Sequence, residues 1–136
     1  MTDPINLNGR TRLYPLLGDP IIYARSPDWL SKHMAKRGMN MISLPMEVPD
    51  GKLKVVMDGL AATGNVDGLS LTMPHKITTV AVLDEPSTTV KVAGSCNAVR
   101  PGPGGRLAGD MFDGEGFVTE QSRPSWIVRL AHFLGV

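Results

Sequence analysis

Lys76 follows the segment Leu69-Ser70-Leu71-Thr72-Met73-Pro74-His75, and Asp113 stands in Gly109-Asp110-Met111-Phe112-Asp113-Gly114. An ammonium just after a strand-ending proline and a carboxylate in a glycine-flanked turn are a pair that can move a proton. Partial burial lowers a lysine pKa toward use as an acid or base; a neighbouring carboxylate opposes that shift and fixes the side chain in place. Together the two can exchange a proton with a substrate hydroxyl while hydride leaves the carbon. Between them, Ala93-Gly94-Ser95-Cys96-Asn97-Ala98-Val99 brings an amide, Asn97, suited to orienting a ligand. Spacing alone favours a plainer reading, a solvated lysine and an unrelated turn aspartate, because most such side chains face water.

Other polar residues carry two readings each. Ser70 and Thr72 alternate with Leu69 and Leu71, as the polar side of any half-buried strand does. Asn97 suits a turn backbone as well as a ligand. Ser26, before Pro27, is placed to cap a helix. His33 and His75 have no Cys, His or carboxylate neighbours at metal-binding spacing, so no metal site is expected. Cys96 reads as a small buried side chain. Gly102 to Gly105 matches neither G-x-G-x-x-G nor a phosphate-binding loop, and no dinucleotide fingerprint occurs in the chain.

The elements that must position these residues follow from periodicity and punctuation. Leu13 to Leu17 reads as a strand, with Pro15 placing it at an edge or a strand start, and Gly18-Asp19-Pro20 as the loop that follows. Ser26 opens a helix carrying Trp29, Leu30, His33, Met34 and Arg37 at helical spacing, and Gly38 stops it. Met41 to Val48 reads as a second strand. Lys52 to Ala62 places Leu53, Val56, Met57, Leu60 and Ala61 on one helical face. Gly68 to Leu71 reads as a third strand, followed by a helix from about Pro74 to Leu83. Val90 to Ala93 is ambiguous. Cys96 to Arg100 and Arg106 to Ala108 read as strands around a Pro/Gly turn. Asp113 or Gly114 opens a further helix through Val118, and the tail from Thr119 to Val136 suits a short amphipathic helix. Strands alternating with helices predict an α/β fold: an open, twisted, mainly parallel sheet flanked by helices, with an antiparallel edge hairpin. In such sheets ligands sit at the carboxyl ends of strands, so Thr72, Lys76, Asn97 and Asp113 can converge.

Composition bounds the partners. The chain has 136 residues, a net charge of +1 and one cysteine. A single domain with a sizeable core is expected. The charge balance suggests no nucleic-acid partner and no attraction to an acidic membrane. No run approaches the ~20 apolar residues of a membrane helix. Met1 to Arg12 lacks a signal-peptide core, and one cysteine fits a reducing compartment, so a cytoplasmic protein is expected.

Taken as an ordered set, four segments resemble the substrate-binding half of the shikimate dehydrogenase (shikimate/quinate dehydrogenase) family. That family shows G-x-P-I-x-H-S-x-S-P, N-V-T-x-P-x-K, G-A-V-N-T and G-x-N-T-D-G-x-G in this order. Here stand Gly18-Asp19-Pro20-Ile21-Ile22-Tyr23-Ala24-Arg25-Ser26-Pro27, Ser70-Leu71-Thr72-Met73-Pro74-His75-Lys76, Gly94-Ser95-Cys96-Asn97-Ala98 and Gly109-Asp110-Met111-Phe112-Asp113-Gly114-Glu115-Gly116. Each motif is weak alone; four in register from Leu13 to Val118 are specific. The resemblance implies a substrate-binding catalytic domain over 1–118 and a divergent tail over 119–136. It implies Lys76 and Asp113 as the catalytic pair in the reversible NADP-dependent reduction of 3-dehydroshikimate to shikimate, a step of aromatic amino acid biosynthesis. Residues matching Thr72, Asn97 and Asp113 hold ring hydroxyls, Ser70 stands where the family has asparagine, and Ser26 holds the carboxylate.

The departures are concrete. Ala24 replaces the first serine of the carboxylate pair and Tyr23 replaces the histidine before it. Losing one hydrogen bond to a charged group weakens binding by roughly 1.5–3 kcal/mol unless Tyr23 or Arg25 supplies another donor. Met111-Phe112 makes the pocket more apolar on one side. A shikimate- or quinate-type ring acid is the expected ligand. The tail has no nucleotide-binding domain, so the NADP (or NAD) implied by the family has no binding motif here. A ring-acid-binding module without chemistry, or an inactive remnant, is the alternative expectation, and a homo-oligomer through the face left uncovered is another.

Overall fold

The structure, a computed structural model, describes residues 6–112 and 125–135. The helix expected from Asp113 or Gly114 to Val118 lies outside the described residues, as does Asp113 itself.

The strands are β1 (Arg12–Leu13), β2 (Leu16–Gly18), β3 (Met41–Ile42), β4 (Pro45–Glu47), β5 (Leu69–Leu71), β6 (Glu85–Pro86), β7 (Ala98–Pro101) and β8 (Leu107–Asp110). The helices are α1 (Ser26–Lys36), α2 (Leu53–Ala61), α3 (His75–Thr78), α4 (Thr88–Ala93) and α5 (Ser125–Leu134). The main sheet has the order β4-β2-β5-β7-β8-β6, and β1 pairs with β3 in a small parallel ladder. β2 is parallel to both β4 and β5, whereas β7 is antiparallel to β5 and β8. The fold is therefore a mixed α/β sheet, mostly parallel, flanked by helices. The expected hairpin is β7–β8, with the short β6 added outside it in parallel.

Prolines divide two of the expected strands. Leu13–Leu17 breaks at Tyr14-Pro15, and Met41–Val48 breaks at Ser43-Leu44. A proline lacks the N–H a ladder needs. At the second break the Ser43 N–H donates to Ser31 Oγ of α1 at 2.8 Å, so the interrupted backbone keeps a partner inside the protein. The expected helix over 74–83 is a single α turn followed by a 3₁₀ turn, Thr79–Val82. Its β-branched run Ile77-Thr78-Thr79-Val80 is a poor α-helix former. The ambiguous segment resolves as α4: Ser87 Oγ accepts from the Val90 N–H at 3.1 Å, and Gly94 closes the helix at φ 67°.

Ser26 is not the cap of α1. Arg25 holds that position without a side-chain hydrogen bond, and Ser26 is the first helical residue, with Pro27 behind it. The buried stripe of α1 is Leu30, Ser31 and Met34; Trp29 is half-exposed and stacks on His33 with centroids 5.0 Å apart.

Alternation along the strands gives each face its own core. Leu17, Leu69, Leu71 and Val99 pack with Leu53 and Met57 of α2 and Val90 of α4. Tyr14 and Ala98 pack on the other side with Leu30 and Met34 of α1 and Leu130 and Leu134 of α5. The tail is thus built into the body. Gly68, just before β5, has no room for a Cβ: one would overlap Leu134 Cδ2 and stand 2.7 Å from Val99 O.

Gly68→Ala is expected to destabilise the protein by about 1–3 kcal/mol; an unaltered urea midpoint would mean that α5 does not seat there. Ser87 also donates to Asp110 Oδ1 at 2.8 Å, so Ser87→Ala removes a cap and a cross-link. The same measurement should show a loss of about 1 kcal/mol or somewhat more.

Candidate active site

The register of the sheet makes the floor of a cavity. Leu16 lies opposite Ser70, Ser70 opposite Ala98, and Ala98 opposite Asp110. Side chains that are partners across strands share a face. Leu16, Ser70 and Ala98 therefore stand in a row across β2, β5 and β7, and all three line one cavity of about 220 Å³. Ser70 and Ala98 are small, which leaves space above the sheet. Tyr14, two residues before Leu16, adds its ring to the same lining.

Chain direction brings the polar residues to one end of that row. Thr72 is two positions beyond Ser70, on the same face at the end of β5, and its N–H donates to Leu17 O at 2.9 Å. Lys76 comes next, on α3. Because β7 is antiparallel to β5, its start, Asn97, meets the end of β5: the Leu71 N–H donates to Asn97 O at 3.0 Å. β8 returns to the same place, and the Phe112 N–H donates to Asn97 Oδ1 at 2.9 Å. Asn97 is thereby both a turn residue and a fixed amide in the lining. Ala24 enters from the segment joining β2 to α1, and Ser26 from the first position of α1. That segment is tied to the β5–α3 connection by the Asp19 N–H donating to Met73 O at 3.2 Å. Gly18 permits the approach: a Cβ there would overlap Thr72 Cγ2 and press on Ile21 Cδ1 at 3.1 Å.

Ser26, Ser70, Thr72, Lys76 and Asn97 thus line one cavity. Lys76 is the one formally charged side chain among the described residues lining it. Tyr23 does not line it; the residue is 84% exposed. Arg25 is exposed too and stands outside the lining. Neither occupies the place of the hydroxyl missing at Ala24. Asp113 follows Phe112 directly but lies outside the described residues.

Phe112 also lines the cavity, on the apolar side expected for Met111-Phe112; Tyr14, Leu30 and Leu130 line it too and were not singled out as site residues from sequence. Tyr14 had a signal, its spacing of two from Leu16; Leu130 had none. Burial pushes the Tyr14 phenol well above its usual range, against the opposing effect of its hydrogen bond with Ser70. Tyr14 is therefore a neutral hydroxyl at any working pH, not a base. Cys96 is fully buried, and burial pushes its thiol up to about 11. It is a packing residue. His75 is also fully buried, its Nε2 2.7 Å from Val48 O. No group of three or more His, Cys, Asp or Glu side chains among the described residues can hold a metal. The described glycine-rich turn does not fit the pyrophosphate of a nicotinamide dinucleotide. The glycine-rich turn Pro103–Gly105 joins two antiparallel strands, whereas a pyrophosphate cradle needs a strand leading into a helix. No described helix is long and apolar enough to cross a membrane.

A compact cavity with hydroxyl, amide and ammonium groups at the carboxyl ends of parallel strands suits a small hydroxylated anion. The chain is similar to known proteins over most of its length. The family model described as the shikimate dehydrogenase substrate binding domain matches residues 16–99. The shikimate dehydrogenase (NADP(+)) of Rubrobacter xylanophilus is 33% identical over 112 residues, 82% of this chain and 39% of that protein. A Synechococcus protein of the same name is 36% identical over 112 residues, 82% of this chain and 38% of its own length. The chain therefore spans about two-fifths of these relatives. The crystal structure of a Listeria monocytogenes shikimate 5-dehydrogenase, in complex with shikimate and NAD, superposes with a TM-score of 0.76 at 31% identity, over 90% of this chain and 42% of that one. With its model match covering most of the sheet and all of β2 to β5, the chain belongs to the shikimate dehydrogenase family, as a substrate-binding domain.

Proposed function

We propose that this chain binds a shikimate-type ring acid in the cavity of Ser70, Thr72, Lys76 and Asn97 and handles the proton of a dehydrogenase reaction. The convergence of those four residues with Ser26 carries the reading. Thr72 and Asn97 hold ring hydroxyls, and Ser26 takes the carboxylate. Lys76 gives a proton to the ring carbonyl oxygen as it becomes a hydroxyl and recovers it in the reverse direction, with Asp113 as its carboxylate partner. The reaction proposed is the reversible NADP-dependent reduction of 3-dehydroshikimate to shikimate. This chain's share is binding and proton transfer, and the nicotinamide dinucleotide is held by other residues than those described.

A ring-acid-binding module without chemistry is the second reading, favoured by the glycine-rich turn Pro103–Gly105, which joins two antiparallel strands and so makes no pyrophosphate cradle. Calorimetric titration with shikimate and with quinate tests what the two share, and turnover by the domain joined to a nucleotide-binding partner domain separates them. Ring-acid binding is expected in both readings, and its absence overturns both.

Two substitutions test the assignments. Lys76→Ala, in the domain joined to a nucleotide-binding partner domain, is expected to lower kcat by 10²-fold or more, with an unaltered thermal midpoint. Turnover near the unsubstituted level would remove Lys76 from the proton step. Ala24→Ser restores a hydroxyl where the lining lacks one. It is expected to tighten shikimate binding by roughly 1.5–3 kcal/mol, on the scale of one hydrogen bond to a charged group; no gain would show that the carboxylate lies elsewhere.

A further inference from the structure

The described cavity is not built by the family-matched stretch alone. That stretch ends at Val99, yet Leu130 of α5 lines the same cavity as Lys76 and Asn97. We propose that α5 is the wall that limits what this cavity accepts, and that Leu130 is its specificity-determining residue, favouring a smaller, less hydroxylated ring acid over a bulkier, more hydroxylated one. The inference rests on the ring-acid reading of the site.

Three contacts hold α5 in this position. Leu134, one turn beyond Leu130, seats against Gly68, where a Cβ would collide. Phe133 packs edge-on against Phe112, with ring centroids 5.8 Å apart and an interplanar angle of 72°. The Arg100 guanidinium of β7 lies 5.1 Å over the Phe133 ring. Phe112 also lines the cavity, and its N–H is held by Asn97 Oδ1. The helix, Phe112 and Asn97 thus form one connected wall. Leu130 is 3% exposed and has no hydrogen-bonding group. A ligand hydroxyl turned toward it loses water and gains no partner, whereas a C–H edge loses nothing. Hydrophobic surfaces reject an added hydroxyl by at most about 10²-fold, so the discrimination expected is moderate.

Shikimate and quinate are the probes, since quinate carries the elements of one further water. The unsubstituted chain is expected to favour shikimate. Leu130→Ala is expected to shift the quinate-to-shikimate affinity ratio toward quinate by about tenfold. Leu134→Ala removes the same side chain from the same helix but not from this cavity; it is expected to lower stability and leave the ratio alone. An unmoved ratio in Leu130→Ala, or an equal shift in Leu134→Ala, overturns the proposal. A chain that binds neither acid sinks the ring-acid reading instead. The wall is then judged without ligand, by methyl methanethiosulfonate labelling of Leu130→Cys in a Cys96→Ser background. Rapid modification of the folded protein supports a cavity-facing position, and inertness overturns it.

Discussion

Cross-strand register is the constraint on which the site depends. Ser70 and Ala98 open the cavity only because they face each other and Leu16 on one side of the sheet, while Leu17, Leu69, Leu71 and Val99 fill the other. A slip of one residue in β5 would turn Leu69 and Leu71 into the cavity and bury Ser70 among leucines. The hydrophobic demand of the α2 face prevents that slip. The polar face is therefore specified from behind, by the apolar residues packed against α2 and α4.

The same economy governs the mouth of the cavity. β5 ends, β7 begins and β8 ends at one place because two antiparallel pairings follow a parallel one. Thr72, Asn97 and Phe112 are far apart in sequence but brought together by the Leu71 N–H donating to Asn97 O and the Phe112 N–H donating to Asn97 Oδ1. Their positions are those of main-chain geometry, with little side-chain freedom to lose on binding a ligand. Lys76 reaches the same place from a single helical turn, with the Cys96 N–H donating to Lys76 O at 2.8 Å. That bond ties the lysine's backbone to the segment carrying Asn97.

Much of this was legible in the sequence. Helices α1 and α2 declared themselves through Leu30 and Met34 and through Leu53 and Met57, and the ordered motifs placed Ser26, Ser70, Thr72, Lys76 and Asn97 as a set. What was less legible has identifiable causes. Pro15 and Pro45 split strands whose apolar pattern runs on without a break. Ser87 and Gly94 bracket α4 as cap and stop, but six residues between them are too few for a periodic signal. Ser26 looked like a cap because serine before proline often is one; the helix begins one residue earlier than that rule requires. The entry of Leu130 into the cavity had no local signal, because only tertiary packing brings α5 over β7.

The missing Cβ at Gly68 has a consequence for how such a domain can vary. A socket without a side chain accepts an aliphatic plug from any sequence able to deliver one. Leu134 is that plug here. Body and tail are then joined by a steric match in place of a shared motif, and the tail can diverge widely at every position except those that dock. Changes at residue 68 and at residue 134 should consequently be tolerated only in pairs, large against small, so that the two sites behave as one inherited unit across a gap of more than sixty residues.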